Sequence, residues 1–143
     1  MGFISVYIHF VWSTKNREPL LKQEIRQIVF SHILENARAK SIFIDFIGGY
    51  SDHVHCLISM GNDQSISKVI QLIKGESSFW INKNKLTRYK FEWQNDYYGV
   101  SVNLKELNRV RNYIKNQEKH HQRLSFQEEY AELREKIGFK DLG

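Results

Sequence analysis

From Phe3 to Trp12 apolar and polar residues alternate, so Ile4, Val6, Ile8, Phe10 and Trp12 share one face of a predicted strand and Ser5, Tyr7 and His9 the other. A polar, basic stretch from Ser13 to Pro19 then gives way to a helical stripe, Leu21, Ile25, Ile28, Val29, Ile33 and Ala37, with Pro19 suited to the first turn. Ser41 to Gly48 and His53 to Met60 predict two strands joined by the tight turn Gly49-Tyr50-Ser51-Asp52. A second helix opens near Ser65 or Ser67, where a hydroxyl can cap free amides. It carries Ile66, Val69, Ile70, Ile73, Phe79 and Trp80 and ends around Asn82 to Lys85. Gly75 inside it costs about 1 kcal/mol relative to alanine. Close approach of DNA or a partner subunit would explain it, as would tight packing on the sheet. The aromatic segment Phe91 to Val102 reads as a short strand with a bent or bulged middle. Leu104 to about His121 has helical periodicity, and a last charged helix runs from roughly Ser125 to Lys136.

The order strand, helix, strand, strand, helix, strand predicts an α+β fold. It is a ferredoxin-like βαββαβ antiparallel sheet, both early helices on one face, with a C-terminal helix appended. Right-handed crossovers put the first and third strands side by side in the centre and leave the other face open. At 143 residues the chain suits one core and is too short for two. A single domain over 1–143 is expected, with a core of about 1–103 and helices and tail over about 104–143.

Lysine and arginine exceed aspartate and glutamate by five, which favours a polyanionic partner, nucleic acid first. No apolar run approaches a membrane span, and Met1-Gly2-Phe3-Ile4-Ser5 lacks the basic start and apolar centre of a signal peptide, so no membrane partner and a cytoplasmic protein are expected. Cys56 is the only cysteine. That excludes an internal disulfide and a cysteine-rich zinc site, and its place in the strand marks it as a core filler.

His53-Val54-His55 changes the picture most. Alternation puts both imidazoles on one strand face while Val54, Cys56 and Ile58 point to the other. The spacing fits one shared ion with at least one further ligand from elsewhere; a coincidental or hydrogen-bonded pair is the competing reading. His9 of the first strand neighbours them, either as support for a ligand or as a solvated or core-satisfied histidine. Further on, Tyr113 and Gln117 stand four residues apart on one helix face, and Arg109 extends the stripe by a turn. His, His and Gln with open positions suit manganese or magnesium better than structural zinc. A tyrosine beside such an ion can accept a phosphoryl group, although an amphipathic helix with an interfacial tyrosine has the same pattern. Lys15, Arg17, Arg109 and Arg111 could hold phosphates while Trp93, Tyr97 and Tyr98 stack on bases; solvated charge and core aromatics are the alternative.

His53-Val54-His55, then Tyr113-Ile114-Lys115-Asn116-Gln117 and His120-His121, with Trp93-Gln94 and Tyr98-Gly99-Val100-Ser101-Val102 between, resemble the single-tyrosine HUH transposases, the TnpA-type enzymes of the IS-two-hundred group. Phe10-Val11-Trp12-Ser13-Thr14-Lys15-Asn16-Arg17 is similar to the family's first strand and loop, and the resemblance covers nearly the whole chain. It implies that His53, His55 and Gln117 are the metal ligands, for Mg2+ or Mn2+ by their donor chemistry; His9 and His120 stand beside them as candidate supporting groups. It implies too that Tyr113 is the nucleophile that forms a 5′-phosphotyrosine link to single-stranded DNA. Such enzymes excise and insert an element with hairpin ends, as homodimers whose tyrosine helix acts in trans. Two alternatives stay open: a replication-initiator-type nickase, and a non-catalytic or domesticated nucleic-acid-binding module of the same fold. The glycine-aromatic signature of RNA-binding sheets is missing from the first and third strands, where histidines stand instead.

Overall fold

The computed structural model of the chain describes residues 2–121 and 125–136; residues 122–124 and 137–143, part of the expected tail, lie outside the described residues. Four strands, β1 (Tyr7–Ser13), β2 (Phe43–Gly49), β3 (His53–Ser59) and β4 (Tyr98–Val102), form one sheet in the order β2-β3-β1-β4. Every neighbouring pair is antiparallel. Helices α1 (Gln23–Ala39) and α2 (Ile66–Lys83) cover one face. Their apolar stripes meet Phe10, Trp12, Val54, Cys56 and Ile58 in the main core. This is the ferredoxin-like arrangement expected, with β1 and β3 central. No helix among the described residues is long and apolar enough to cross a membrane.

Several boundaries differ from the sequence pattern, each for a local reason. β1 begins at Tyr7 instead of Phe3, because Tyr7 is the last residue with partners on both sides, Ser59 and Val102, and Phe3 is left 95% exposed. Pro19 lies ahead of α1, which starts at Gln23: the Leu21 amide is bonded to Ser51 O at 2.8 Å, pinning that segment to the β2–β3 turn before it can coil. Ile28 and Phe79, counted in the two stripes, are exposed. The last strand keeps only the second half of the aromatic segment. Phe91 is clamped by Asn82 (3.0 and 2.7 Å), and Lys74 Nζ donates to the carbonyls of Gln94, Asn95 and Asp96. That stretch is therefore tied to α2, and only Trp93 reaches the sheet, through an isolated bridge to Thr14. Ser65 caps α2 as expected, accepting from the Lys68 amide at 3.2 Å. A Cβ on Gly75 would meet nothing within 4 Å, which removes tight packing on the sheet as the reason for that glycine.

The face expected to stay open is covered. After a 3-10 turn (Leu104–Glu106), the predicted long helix divides into α3 (Leu107–Lys115) and α4 (Gln117–His120), broken at Asn116. α3 buries Leu107, Val110 and Ile114 against Leu57. A Cβ on Gly48 would stand 2.5 Å from the Ile114 carbonyl oxygen, so glycine is what lets α3 lie this close to β2. A bulge in β2 leaves Asp45 out of the ladder, and it accepts Arg111 Nε and Nη2 at 2.6 and 3.0 Å, fixing α3 along that edge. α5 (Phe126–Lys136) lies over the same face, with Phe126 packed in a cluster with Val11, Tyr98 and Tyr113.

Candidate active site

The antiparallel register places His55 opposite Val11 and His53 opposite Ser13, while His9 stands diagonal to His55 on the same face. All three histidines are fully buried. The His53 and His55 rings are each oriented from behind: Asp52, in the turn before β3, accepts His53 Nδ1 at 2.8 Å, and His55 Nδ1 pairs with His9 Nε2 at 2.8 Å. Both Nε2 atoms are thereby turned to a common point, the arrangement that metal-binding histidines use.

The tyrosine helix brings the rest. Tyr113 stands with its ring centroid 5.5 Å from that of His55. The break at Asn116 keeps Gln117 one turn beyond it, with Gln117 Nε2 3.3 Å from Tyr113 O and Gln117 Oε1 accepting from His53 Nε2 at 3.0 Å. Arg26, buried in α1, ties the adjacent Glu118 down at 2.6 Å and bonds Leu21 O, so α4 is anchored to the opposite layer. Within one chain the structure gathers Tyr113, His53, His55 and Gln117.

Glu129 of α5, absent from the sequence reading, completes the cluster. Its carboxylate is fully buried and receives Gln117 Nε2 and His121 Nε2 at 3.0 Å each. Its Oε1 lies 3.1 Å from His53 Nε2 and 3.3 Å from His55 Nε2, and its Oε2 accepts the Tyr113 hydroxyl. Phe126, one turn earlier, stacks on His53 at 4.5 Å. The only sequence signal was an acidic helix of ordinary composition; nothing in its spacing singles out Glu129. Asp52 and His121 were missed too, although one adjoins His53 and the other adjoins His120.

Electrostatics follow from burial and these contacts. Burial alone would lower His53, but Asp52 and Glu129 outweigh it and raise its pKa to about 9. Burial lowers His55 to about 4 and holds His9 well below the usual histidine range. Burial would raise the Glu129 carboxyl, yet hydrogen bonds from His121, His53 and His55 keep it far below the ordinary carboxylate range. Burial, and then the Glu129 charge, push the Tyr113 hydroxyl well above the phenol range, so here it holds its proton.

The donor set fits a divalent ion. His53, His55 and Glu129 each offer one ligand atom, all within 4.8 Å of one another, and Gln117 adds an amide oxygen beside them. Nitrogen, carboxylate and amide donors together suit Mg2+, Mn2+ or a similar ion. His120, expected to support the ligands, has its ring centroid 5.3 Å from that of Tyr113 and its Nε2 3.4 Å from Glu129 Oε2.

The residues expected at DNA are scattered. Lys15, exposed, pairs with Glu92 at 3.1 Å; Arg17, exposed, lies 5.9 Å from the Phe126 ring; Arg109 reaches Glu106 at 3.3 Å across solvent. Arg111 is spent on Asp45. Trp93 is only 7% exposed, wedged against Trp12 and Phe91 with Nε1 donating to Ser77 Oγ at 2.9 Å, so it has no free face for a base. Tyr98 is half-buried, 4.3 Å from the Tyr130 ring, and Tyr97 stands partly exposed over Phe10.

The fold has solved counterparts. The chain is similar to a candidate transposase of Deinococcus radiodurans at 19% identity, TM-score 0.65, covering 82% of this chain and 95% of that one. It is also similar to a REP-associated tyrosine transposase solved bound to a REP hairpin, at 18% identity and TM-score 0.64, covering 85% of this chain and 72% of that one. No curated protein sequence matches it. Residues 3–117 match the sequence profile described as "Transposase IS200 like". That span begins just before β1, takes in both histidines and Tyr113, and stops on Gln117: the chain belongs to the IS200-like transposase family.

Proposed function

We propose that this transposase cleaves and rejoins single-stranded DNA through Tyr113. As its hydroxyl gives up its proton to water, the Tyr113 oxygen attacks the scissile phosphorus, the bond from phosphorus to the 3′ oxygen breaks, and that oxygen takes a proton from water to leave as a 3′ hydroxyl. The 5′ phosphate stays esterified to the ring oxygen until a 3′ hydroxyl reverses the exchange. The observation that carries this reading is the convergence of the Tyr113 hydroxyl with His53, His55, Gln117 and Glu129 in one buried cluster.

His53, His55 and Glu129, with Gln117 beside them, would hold Mg2+ or Mn2+, which when bound polarises the phosphate and offsets its developing charge. The chain's own groups do the positioning. Asp52 and His9 fix the ligand rings, and α3, held by Asp45 and fitted over Gly48, sets the height of Tyr113. Access requires Glu129 to release the tyrosine hydroxyl. The structural likeness to a protein bound to a REP hairpin supports a hairpin-ended DNA as substrate.

Incubation with single-stranded DNA from the flanks of its own gene, with and without Mn2+ or Mg2+, tests the reading on a denaturing gel. A covalent adduct is expected that needs the ion and vanishes in Tyr113→Phe, while hairpin binding persists in that variant. An adduct surviving in Tyr113→Phe would name another nucleophile. Each chain carries the whole set of groups, which supports action in cis; the family's homodimer with exchanged tyrosine helices is tested by co-expressing Tyr113→Phe and His53→Ala chains. Restored cleavage in purified heterodimers would establish trans action.

A further inference from the structure

A cleft of about 700 Å3 opens beside Tyr113 between the end of β4 and the outer side of α3. It lies in the range of pockets that take small-molecule ligands, about 300–1,000 Å3, so a nucleoside fits. We infer that this cleft takes an unpaired nucleobase flanking the scissile phosphate and makes the chain selective for the nucleotide it cuts beside. The inference rests on the proposed role of Tyr113 for the position of the cut, though not for the existence of the pocket.

Three observations support it. The first is position: Tyr113 itself lines the cleft, so a strand whose phosphate reaches the ring oxygen lays a neighbouring nucleotide across its mouth. Charge is the second. Arg109 at the rim is paired with Glu106, and Glu132 adds a further negative group. A lining with two acids and one arginine repels a phosphate and accepts a neutral base, leaving the sugar-phosphate chain outside.

The third is the chemistry of the wall. Asn112 and Asn116, four residues apart, flank Tyr113 on the same lining, and Val102 and Val110 supply apolar surface on which a ring can lie. A side-chain amide presents a donor and an acceptor together. Adenine is the base whose N6 and N7 meet such an amide in two bonds at once, so an adenine is favoured.

The test uses the full chain carrying Tyr113→Phe, so that binding is read without cleavage. Fluorescence anisotropy compares single-stranded oligonucleotides, with the hairpin, that differ by one abasic nucleotide scanned along the strand. Removal of the base at one or two adjacent positions is expected to weaken binding about tenfold, the scale of one bidentate base contact. In Asn112→Ala with Asn116→Ala that sensitivity should collapse to a ratio near one. It should collapse also in Val102→Trp, which fills the cleft from β4 and leaves both amides in place. The sensitive position should abut the bond that the wild-type chain cuts, mapped from its adduct. The inference is overturned if no position is sensitive, if the sensitivity survives in both variants, or if it lies away from the mapped cut. Should the wild-type chain form no adduct while the pattern still vanishes in both variants, the nucleophile reading fails and the base pocket stands.

Discussion

Gly48→Ala is the sharpest probe of how the fold places Tyr113, the proposed nucleophile. The new Cβ would stand 2.5 Å from the Ile114 carbonyl oxygen and 2.9 Å from Ile114 Cγ2; an ordinary contact needs at least 3.4 Å, so α3 must retreat by about 0.9 Å. The obstacle is helix backbone, which no rotamer change relieves, and Tyr113 is the residue next to it. Overpacking of this kind costs about 1–3 kcal/mol, which lowers the melting temperature without unfolding the chain. The kinetic effect should be larger, because a displacement near 1 Å at a reacting group costs on the order of 10²-fold in rate. Single-turnover formation of the Tyr113 adduct at saturating Mn2+, with hairpin affinity measured alongside, separates the two. A rate about 10²-fold lower with hairpin affinity unchanged is expected. A rate within threefold of wild type would mean that α3 is not positioned by its contact with β2, and the account of Tyr113 placement given above would be wrong.

Gly75→Ala should do the opposite: with open space at its Cβ and a helical backbone, it is expected to stabilise the chain by about 0.5–1 kcal/mol, read from urea unfolding. Metal binding should be proton-linked through His53, whose folded pKa of about 9 lies above the usual 6.5. An ion must displace that proton, so Mn2+ affinity by calorimetry should rise about tenfold per pH unit until about pH 9; a flat profile between pH 6.5 and 9 would refute the linkage. The same shift has the reverse sign for the metal-free fold, since stability from a charged His53 is complete below pH 6.5 and lost as pH rises through about 9. Cys56, fully buried with its thiol pushed up by burial, should react with a thiol reagent only at the rate of unfolding, checked by comparison with hydrogen exchange of β3.

Alternation and helical period sufficed for the sheet and its two packed helices because β1, β3, α1 and α2 each bury one complete face, and burial is what those periods record. The histidine pair was legible because one strand fixes it, and the Tyr113–Gln117 spacing because the break at Asn116 between α3 and α4 still leaves Gln117 one turn beyond Tyr113. Glu129 and His121 were not, because what makes them special is where α5 and α4 come to rest on the sheet, and that depends on contacts between elements far apart in sequence. Trp93 misled in the other direction. An aromatic residue in a polar neighbourhood suits a base platform as well as a core, and only the clamp of its segment onto α2 decides for the core. Pro19 likewise fits a first helical turn until Ser51, some thirty residues on, claims the amide of Leu21.

Glu129 also gives the site a tethered competitor. A phosphate and this carboxylate are both anions seeking the same donors, but one arrives by diffusion while the other is carried by the chain at a local concentration that dilution cannot change. The apparent affinity of the cleavage site for DNA is then its intrinsic affinity scaled by the fraction of time Glu129 Oε2 has let go of the Tyr113 hydroxyl, while Oε1 stays beside His53 and His55. If the proposed DNA substrate carries a hairpin held elsewhere on the protein, that handicap is removed, because the hairpin tethers the scissile strand as well and sets one local concentration against another. Strands that lack the hairpin would meet a site already occupied, and selectivity for hairpin-bearing ends would arise with no contact at the cut itself.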